Sequence, residues 1–170
     1  NLKESGNILL VIGKTEGHLD QSLFSRDILN EKNGPPPEIN LFNEKNNGET
    51  ILKLIDKNFI KAAHDVSLGG IITALSKMCI RSKKGAILKK PNYLINQFEY
   101  LFGEDQGRYI IEVDKNNLQD VTKILNNNSV HFDELGTVSD DDLIIDDKSK
   151  VSIDDLIKSH TTWLTNYMSK

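Results

Sequence analysis

Short apolar runs alternate along this chain with segments whose apolar residues recur every three or four positions. The runs predict buried strands, and the longer spacing predicts helices that pack one face on a sheet. The predicted strands are residues 7–13, 59–66, 85–89, 108–113, 130–138 and 143–145. The predicted helices are residues 21–30, 49–59, 68–81, 117–125 and 153–167, the last with Ser152 as N-cap, and residues 93–102 are predicted as a short helix or turn. This order favours a layered α/β or α+β domain.

The composition indicates a single domain with a core of its own. The chain has 170 residues, of which 38% are hydrophobic and 27% are charged. Domains typically hold roughly 100 to 150 residues, so we expect residues 1–170 to form one domain. The formal net charge of -4 disfavours nucleic acid as the main partner, because phosphate neutralisation requires a basic surface.

Neither a membrane span nor a disulfide framework is predicted. No apolar run approaches the roughly 20 residues that a membrane-spanning helix needs. Cys79 is the single cysteine, which excludes an intrachain disulfide and suits a reducing, cytoplasmic compartment. The chain starts without Met and without a signal-type segment, so we expect a domain excised from a longer polypeptide.

The first segment that can carry chemistry reads AAHDVSLGG. A strand-like run ends at His64 and Asp65, and Ser67 is placed to cap the helix that follows. Gly69 and Gly70 fall in the first turn of that helix, where each costs roughly 1 kcal/mol relative to alanine. Glycine is kept at such a place where a backbone or a ligand must approach closely, and free amides at a helix start favour an anion such as phosphate.

His64 and Asp65 would lie at the rim of such an anion site. The imidazole can donate to a phosphate or move a proton, and the carboxylate can hold a cation or orient the imidazole. The alternative is structural: Ser67 and Asp65 cap the helix, the glycines permit close packing, and His64 bonds a backbone carbonyl. A glycine-containing loop by itself does not decide between the two.

The second segment reads LFGEDQGR and lies just before a predicted strand. Glu104 and Gln106 alternate along it, so they face the same side if the backbone is extended, and together they can receive a polar ligand. Arg108 can clamp a phosphate or pair with a carboxylate. The alternative is a polar hairpin or bulge in which Arg108 pairs with Glu104. Ligand contact requires the two segments to meet at one end of the sheet, and we expect them to do so.

The other polar and aromatic features are expected to be structural. Residues 33–40 contain three prolines and should form a stiff, extended connector. Residues 139–142 lack the spacing of a calcium loop and should form a solvated turn. Trp163 should anchor the packing of the last helix. Three further histidines lack the spacing of metal ligands: His18, His131 and His160. No catalytic residue and no metal ligand is predicted.

Taken together and in this order, the two segments resemble a known family. AHDVSLGG followed by LFGEDQGR, with NILLVIGKTEGHLDQSLF and NGPPPEINLF before them, is similar to the C-terminal type of module in the phosphoribosylformylglycinamidine synthase family. That family belongs to the aminoimidazole ribotide (AIR) synthase superfamily. The resemblance covers essentially the whole chain, and it implies a mixed β-sheet covered by helices, as in AIR synthase C-terminal domains.

The resemblance implies a part in an ATP-dependent amidoligase of purine biosynthesis. In that family ATP and magnesium activate the amide oxygen of formylglycinamide ribonucleotide, and ammonia from glutamine then displaces phosphate to give the amidine. The ammonia comes from a glutaminase subunit or domain, and Cys79, on a buried helix stripe, is not expected to be its nucleophile. No cofactor is assigned to this domain itself.

The family architecture implies that this chain is the last domain of two tandem repeats. It would be inactive alone and would pack on the other domains of the same polypeptide. Its cut contact surfaces would then expose apolar area and permit self-association.

The resemblance also implies a set of substrate or nucleotide-phosphate contacts. The set is His64, Asp65, Ser67, Gly69, Gly70, Glu104, Gln106 and Arg108. Leu68 stands where the family usually has an acidic residue, Asp105 where it has Ser, and residues 20–22 where it has Gly-Gly-Ser. These departures fit the non-catalytic side of the enzyme, which the family associates with a structural nucleotide site. Two alternatives stay open: a scaffold module that binds no ligand, and a kinase-like or cyclase-like member of the superfamily.

Overall fold

A computed structural model of the chain describes residues 1–91, 94–146 and 149–169. The strands are Ile8–Ile12 (β1), Ile60–Val66 (β2), Gly85–Leu88 (β3), Arg108–Val113 (β4), Phe132–Ser139 (β5), Leu143–Ile144 (β6) and Lys150–Val151 (β7). The α-helices are Leu41–Asp56 (α1), Gly70–Ser82 (α2), Gln97–Phe102 (α3), Leu118–Asn127 (α4) and Ile153–Met168 (α5). None of the helices within these ranges combines the length and apolar character needed to cross a membrane.

The seven strands form one sheet in the order β2-β4-β1-β5-β3-β6-β7. β3 and β6 pair in parallel, whereas the other neighbouring strands pair antiparallel. Helices cover both faces of this sheet, with α2, α3 and α5 on one face and α1 and α4 on the other. The predicted mixed sheet covered by helices is therefore confirmed.

The central strand β1 supplies both halves of the core. Successive side chains of a strand point to opposite faces, and all five residues of β1 are buried. Leu9 and Val11 enter the core beneath α2, α3 and α5. Ile8, Leu10 and Ile12 enter the core beneath α1 and α4. An apolar residue at every position of this short run is thus explained by helices on both faces.

Some predicted boundaries are wrong because local capping overrides the apolar pattern. α1 begins at Leu41 instead of residue 49, since the Asn40 side chain accepts from the Asn43 amide at 3.0 Å and starts the helix in a polar stretch. The predicted helix over 21–30 is largely a π-helical turn, Ser25–Leu29. β7 was not predicted, because Lys150–Val151 holds a single apolar residue, whereas the apolar run at 143–145 indicated β6. Tyr93 of the predicted helix or turn 93–102 lies outside the described residues.

Both ends of α5 bear on the predictions. The Ser152 hydroxyl accepts from the Asp155 amide at 3.4 Å, which confirms the predicted N-cap. The predicted anchoring role of Trp163 is wrong for this chain, because its side chain is 65% exposed.

The proline-containing connector, residues 33–40, has neither helix nor strand, as expected.

Cys79 lies on α2 at the centre of the larger core. It is fully enclosed, and burial raises the pKa of its thiol to about 12. The predicted position on a buried helix stripe is confirmed. A thiol with that pKa holds almost no thiolate at neutral pH, and thiolate is the reactive form.

The raised pKa makes stability depend on alkaline pH. The unfolded thiol ionises near 9.0 and the folded thiol near 12, so its contribution is complete below pH 9 and is lost as pH rises toward 12. We expect Cys79→Ala to flatten the fall in unfolding free energy above pH 9 by up to roughly 1.4 kcal/mol per pH unit. Urea unfolding of both proteins at pH 8 and pH 10 measures this, and equal slopes would contradict it.

Candidate functional site

The two predicted segments meet at one end of the sheet. Val66, the last residue of β2, lies opposite Arg108, the first residue of β4. The loop after β2, residues 67–70, is called the glycine loop, and residues 103–107 before β4 are called the carboxylate loop. The Gly69 amide of the glycine loop donates to Glu104 Oε1 of the carboxylate loop at 2.8 Å. The expected meeting of the two segments is confirmed.

The two glycines allow the chain's own backbone to approach. Gly69 and Gly70 have φ angles of +81° and +69°, a left-handed conformation that side-chain-bearing residues rarely adopt. A Cβ at Gly70 would lie 2.6 Å from the carbonyl oxygen of Leu101 and 2.7 Å from that of Gly103. The close approach predicted for these glycines is therefore made by the backbone at the end of α3.

The predicted cap at Ser67 is wrong. α2 begins at Gly70 with Gly69 as its N-cap residue, and no side chain caps it there. Ser67 contributes its backbone carbonyl, which accepts from the Gly70 amide at 3.0 Å, and the residue is exposed. The left-handed turn at Gly69 moves the helix start past the position that Ser67 could cap.

Glu104 supplies the anion at the start of α2. Its Oε1 accepts from the Leu23 amide at 2.8 Å as well as from Gly69, and its own amide donates to the His18 carbonyl at 2.9 Å. A negative charge near a helix N-terminus is favourable, because it faces the positive end of the helix dipole. An internal carboxylate therefore occupies the kind of position for which the sequence suggested a phosphate.

Asp105 organises the turn that follows β1. This buried carboxylate accepts from three successive amides, those of Glu16, Gly17 and His18, at 3.2, 3.0 and 3.1 Å. In the sequence Asp105 is marked only by its departure from the family pattern, which does not indicate these three contacts. Gly13 before the turn and Gly17 within it both have positive φ, and these two glycines are the sequence signal of a tight loop there.

Arg108 is enclosed by the chain itself. It is 1% exposed and donates to Thr15 Oγ1 at 3.1 Å, to the Gly103 carbonyl at 2.6 Å and to the Asp105 carbonyl at 3.1 Å. Its guanidinium also forms an ion pair with the Asp105 carboxylate, at 3.5 Å, whereas the structural alternative expected Glu104 as the partner. A buried guanidinium requires such partners, and these contacts are internal ones.

His64 and Asp65 lie beside each other at the end of the edge strand β2. His64 Nδ1 is 2.6 Å from the Asp65 carbonyl oxygen and 3.4 Å from Asp65 Oδ1. The backbone contact matches the structural alternative for His64. The side chains are 29% and 69% exposed, so both can be reached from solvent. With Ser67 they form the accessible rim of the glycine loop.

Gln106 belongs to a different surface. It lines a groove of about 1100 Å³ between the turn after β1, the proline connector and the start of α1. The Glu104 carboxylate is instead bonded to the amides of Gly69 and Leu23, so the two side chains do not form the shared polar site predicted for an extended backbone. Charged and imidazole side chains of the lining come from five separate segments: Lys14, Glu16, His18, Glu38, Glu44, Asp105 and His131. This acidic balance is unfavourable for a phosphate.

The comparison with protein families decides where the chain belongs. A family model described as AIR synthase related protein, C-terminal domain, matches residues 4–148. The chain belongs to this family. The superfamily resemblance read from AHDVSLGG and LFGEDQGR is thereby confirmed, and the molecule is an AIR synthase related C-terminal domain.

Close relatives of this domain are much longer proteins. It is 84% identical over 168 residues to the phosphoribosylformylglycinamidine synthase subunit PurL of Pelagibacter ubique, covering 99% of this chain and 23% of the relative. It is 40% identical over 165 residues to the PurL subunit of Bartonella bacilliformis, covering 97% of this chain and 22% of the relative. The chain therefore spans about a quarter of the length of these curated relatives.

Solved structures share the fold of this AIR synthase related domain. T. maritima PurL complexed with FGAR matches with a TM-score of 0.76 at 19% identity, over 92% of this chain and 29% of that one. The HypE–HypF complex matches with a TM-score of 0.57 at 17% identity, over 81% of this chain and 48% of that one. At these identities the likeness establishes a common fold.

The junction at Glu104 should be important for stability. Glu104→Ala removes the acceptor of two amides, those of Gly69 and Leu23, and we expect a loss of about 1 to 3 kcal/mol in unfolding free energy. Glu104→Gln keeps one acceptor oxygen and should lose less. The matched control is Gln106→Ala, two residues away and exposed, which should stay within about 0.5 kcal/mol. Urea titration measures all three, and equal losses for Glu104→Ala and Gln106→Ala would refute the junction.

The close approach at Gly70 should exclude every larger residue. Gly70→Ala combines a left-handed φ with a Cβ 2.6 Å from a carbonyl oxygen, and we expect a loss of at least about 2 kcal/mol. Gly48→Ala is the control, because Gly48 lies within α1 and its Cβ would meet nothing closer than Tyr109 Oη at 3.4 Å. That change should be neutral or stabilising by up to about 1 kcal/mol. Thermal unfolding compares the two, and a similar midpoint for both would contradict this reading of the loop.

Proposed function

We propose that this domain is one segment of a phosphoribosylformylglycinamidine synthase, the ATP-dependent amidoligase of purine biosynthesis. The observation that carries the proposal is the 84% identity to the Pelagibacter ubique PurL subunit across 99% of the chain. This identity favours the synthase over a kinase-like or cyclase-like member of the superfamily. Since the chain spans 23% of that relative, the activity is assigned to the longer polypeptide.

The reaction assigned to the longer polypeptide consumes formylglycinamide ribonucleotide, glutamine and ATP. Its products are formylglycinamidine ribonucleotide, glutamate, ADP and phosphate. Separate structures show T. maritima PurL complexed with FGAR, with ATP and with AMPPCP. These complexes support FGAR and ATP as substrates. Our proposal includes a glutaminase subunit or domain as the source of ammonia and a cytoplasmic location, with neither nucleic acid nor membrane as partner.

Magnesium is proposed for the longer polypeptide and not for this segment. Among residues 1–91, 94–146 and 149–169, no group of three His, Cys, Asp or Glu side chains is placed to hold a metal ion.

We assign this segment a structural role where the glycine loop meets the carboxylate loop. The rim of the glycine loop is accessible and can make further contacts. Glu104 already fills the anion position at the start of α2, and Arg108 is 1% exposed, which supports an internal role for both. His64, Asp65 and Ser67 are the accessible members of the predicted set at the glycine loop, whereas Gln106 is exposed in the separate groove. We assign His64, Asp65 and Ser67 contacts with a neighbouring domain or its ligand. This combines the scaffold alternative with membership of the synthase.

The synthase proposal predicts activity only in the longer polypeptide. With a glutaminase subunit present, the longer polypeptide should release phosphate from ATP in a manner that depends on both formylglycinamide ribonucleotide and glutamine. The 170-residue chain should give no turnover above background, with glutamine or with ammonia. A coupled ADP assay measures both proteins. A longer polypeptide without substrate-dependent ATP consumption would refute the function, and turnover by the 170-residue chain would refute its inactivity.

Calorimetry provides the control for the role of the rim. Titration of the 170-residue chain with ATP, ADP and magnesium should show no heat of binding if the Glu104 carboxylate already occupies the amides at the start of α2. Binding that disappears in His64→Ala would instead identify the rim as a nucleotide contact. Gln106→Ala, which changes the separate groove, should leave any such binding unchanged.

A further inference from the structure

The last helix, α5, carries a single apolar stripe along its length. Residues three and four apart share a helix face. By this spacing, Ile153, Leu156 and Ile157 lie on the same face as a second group nearer the end of the helix. We name that group the outer stripe; its members are Trp163, Leu164, Tyr167 and Met168.

The near end of the stripe is packed, whereas the outer stripe is not. Ile153 is 7% exposed, and Leu156 and Ile157 pack against the core that α2 and α3 also cover. The four members of the outer stripe are 59% to 75% exposed: Trp163, Leu164, Tyr167 and Met168. The face that holds α5 on the domain therefore continues past it, uncovered by the part of the chain that the structure describes.

Charge is also missing from this half of the helix. Residues 159–169 read SHTTWLTNYMS and contain no Asp, Glu, Lys or Arg, although 27% of the chain is charged. Charge depletion with Trp, Tyr and Met enriched is the composition of an interface core. An anionic lipid surface is a poorer match, because helices that bind such surfaces are rich in Lys and Arg on the polar face.

The comparisons with relatives indicate which part of a protein could pack on the outer stripe. The family model ends at residue 148, before α5 begins. The match to the Pelagibacter ubique PurL subunit covers 168 of the 170 residues, so it includes α5. α5 is therefore an element of relatives that extend far beyond this chain, which is 23% of their length, and it lies outside the part that the family model describes.

We propose that the outer stripe docks into an apolar groove on another segment of the same longer polypeptide. The inference rests on the proposed function only in placing this chain within a longer synthase. The groove would be lined by uncharged residues and would offer hydrogen-bond acceptors to the indole N–H of Trp163 and the hydroxyl of Tyr167. α5 thus joins the domain, through its first half, to a neighbouring segment, through its second half.

Photo-crosslinking within the longer polypeptide tests the proposal directly. Leu164→p-benzoylphenylalanine places the crosslinker in the outer stripe, and Asn166→p-benzoylphenylalanine places it on the opposite, polar face as the matched control. The protein is refolded or assembled from equal parts of ¹⁵N-labelled and unlabelled polypeptide, so that mass spectrometry separates links within one chain from links between chains. We expect Leu164 to link within one chain to a peptide outside residues 1–170, at least tenfold more than Asn166.

Several outcomes would overturn the proposal. Links between labelled and unlabelled chains would make the occupant a second copy. Links confined to residues 1–170, or no preference over Asn166, would show that no other segment covers the stripe. An active longer polypeptide with any of these results would sink this inference and leave the proposed function standing.

Hydrogen exchange gives a second readout that does not depend on crosslinking chemistry. Amides of residues 159–168 should exchange at least tenfold more slowly in the longer polypeptide than in the 170-residue chain. Leu164→Ser in the longer polypeptide should restore fast exchange there, while the same change in the 170-residue chain should leave its unfolding midpoint unchanged, because the side chain is exposed. Equal exchange in the two proteins would contradict docking.

Discussion

The carboxylate of Glu104 joins three segments that lie far apart in the sequence. Its Oε1 accepts from the amides of Gly69 and Leu23, both at 2.8 Å, and its own amide donates to the His18 carbonyl. Hydrogen bonds from backbone amides to a carboxylate are stronger than neutral ones, because one partner is charged. The carboxylate thus links the start of α2 and the segment at Leu23 to the loop before β4, and the backbone amide of the same residue adds the turn after β1.

The same end of the sheet is completed by a second carboxylate and a buried guanidinium. The Asp105 carboxylate accepts hydrogen bonds from three successive amides. The Arg108 guanidinium donates to two backbone carbonyls and one hydroxyl. Buried polar groups are stable only with partners, and these supply one another. Glycine at position 70 is part of this arrangement, because the backbone carbonyls of residues 101 and 103 come too close for a side chain. The carboxylates and the guanidinium of the two loops are therefore bonded within the chain, and His64, Asp65 and Ser67 are accessible at the rim of the glycine loop.

Two surfaces of the described residues are not covered by the rest of the chain. The groove beside the proline connector is polar and acidic, whereas the outer half of α5 is apolar and uncharged. They differ in the chemistry that would fill them: polar groups or cations in the first, and an apolar groove around the second. Neither surface is explained by packing within the described residues.

The sequence by itself determined the elements whose signals are local. β4 matches its predicted bounds, β1 follows the apolar run, and the Ser152 cap starts α5, because each depends on residues within a few positions of one another. Only the tertiary structure decided that Glu104 meets Gly69, that Arg108 is enclosed and that Gln106 lies in a separate groove. Those contacts join residues up to 93 positions apart, and periodicity carries no information over such distances.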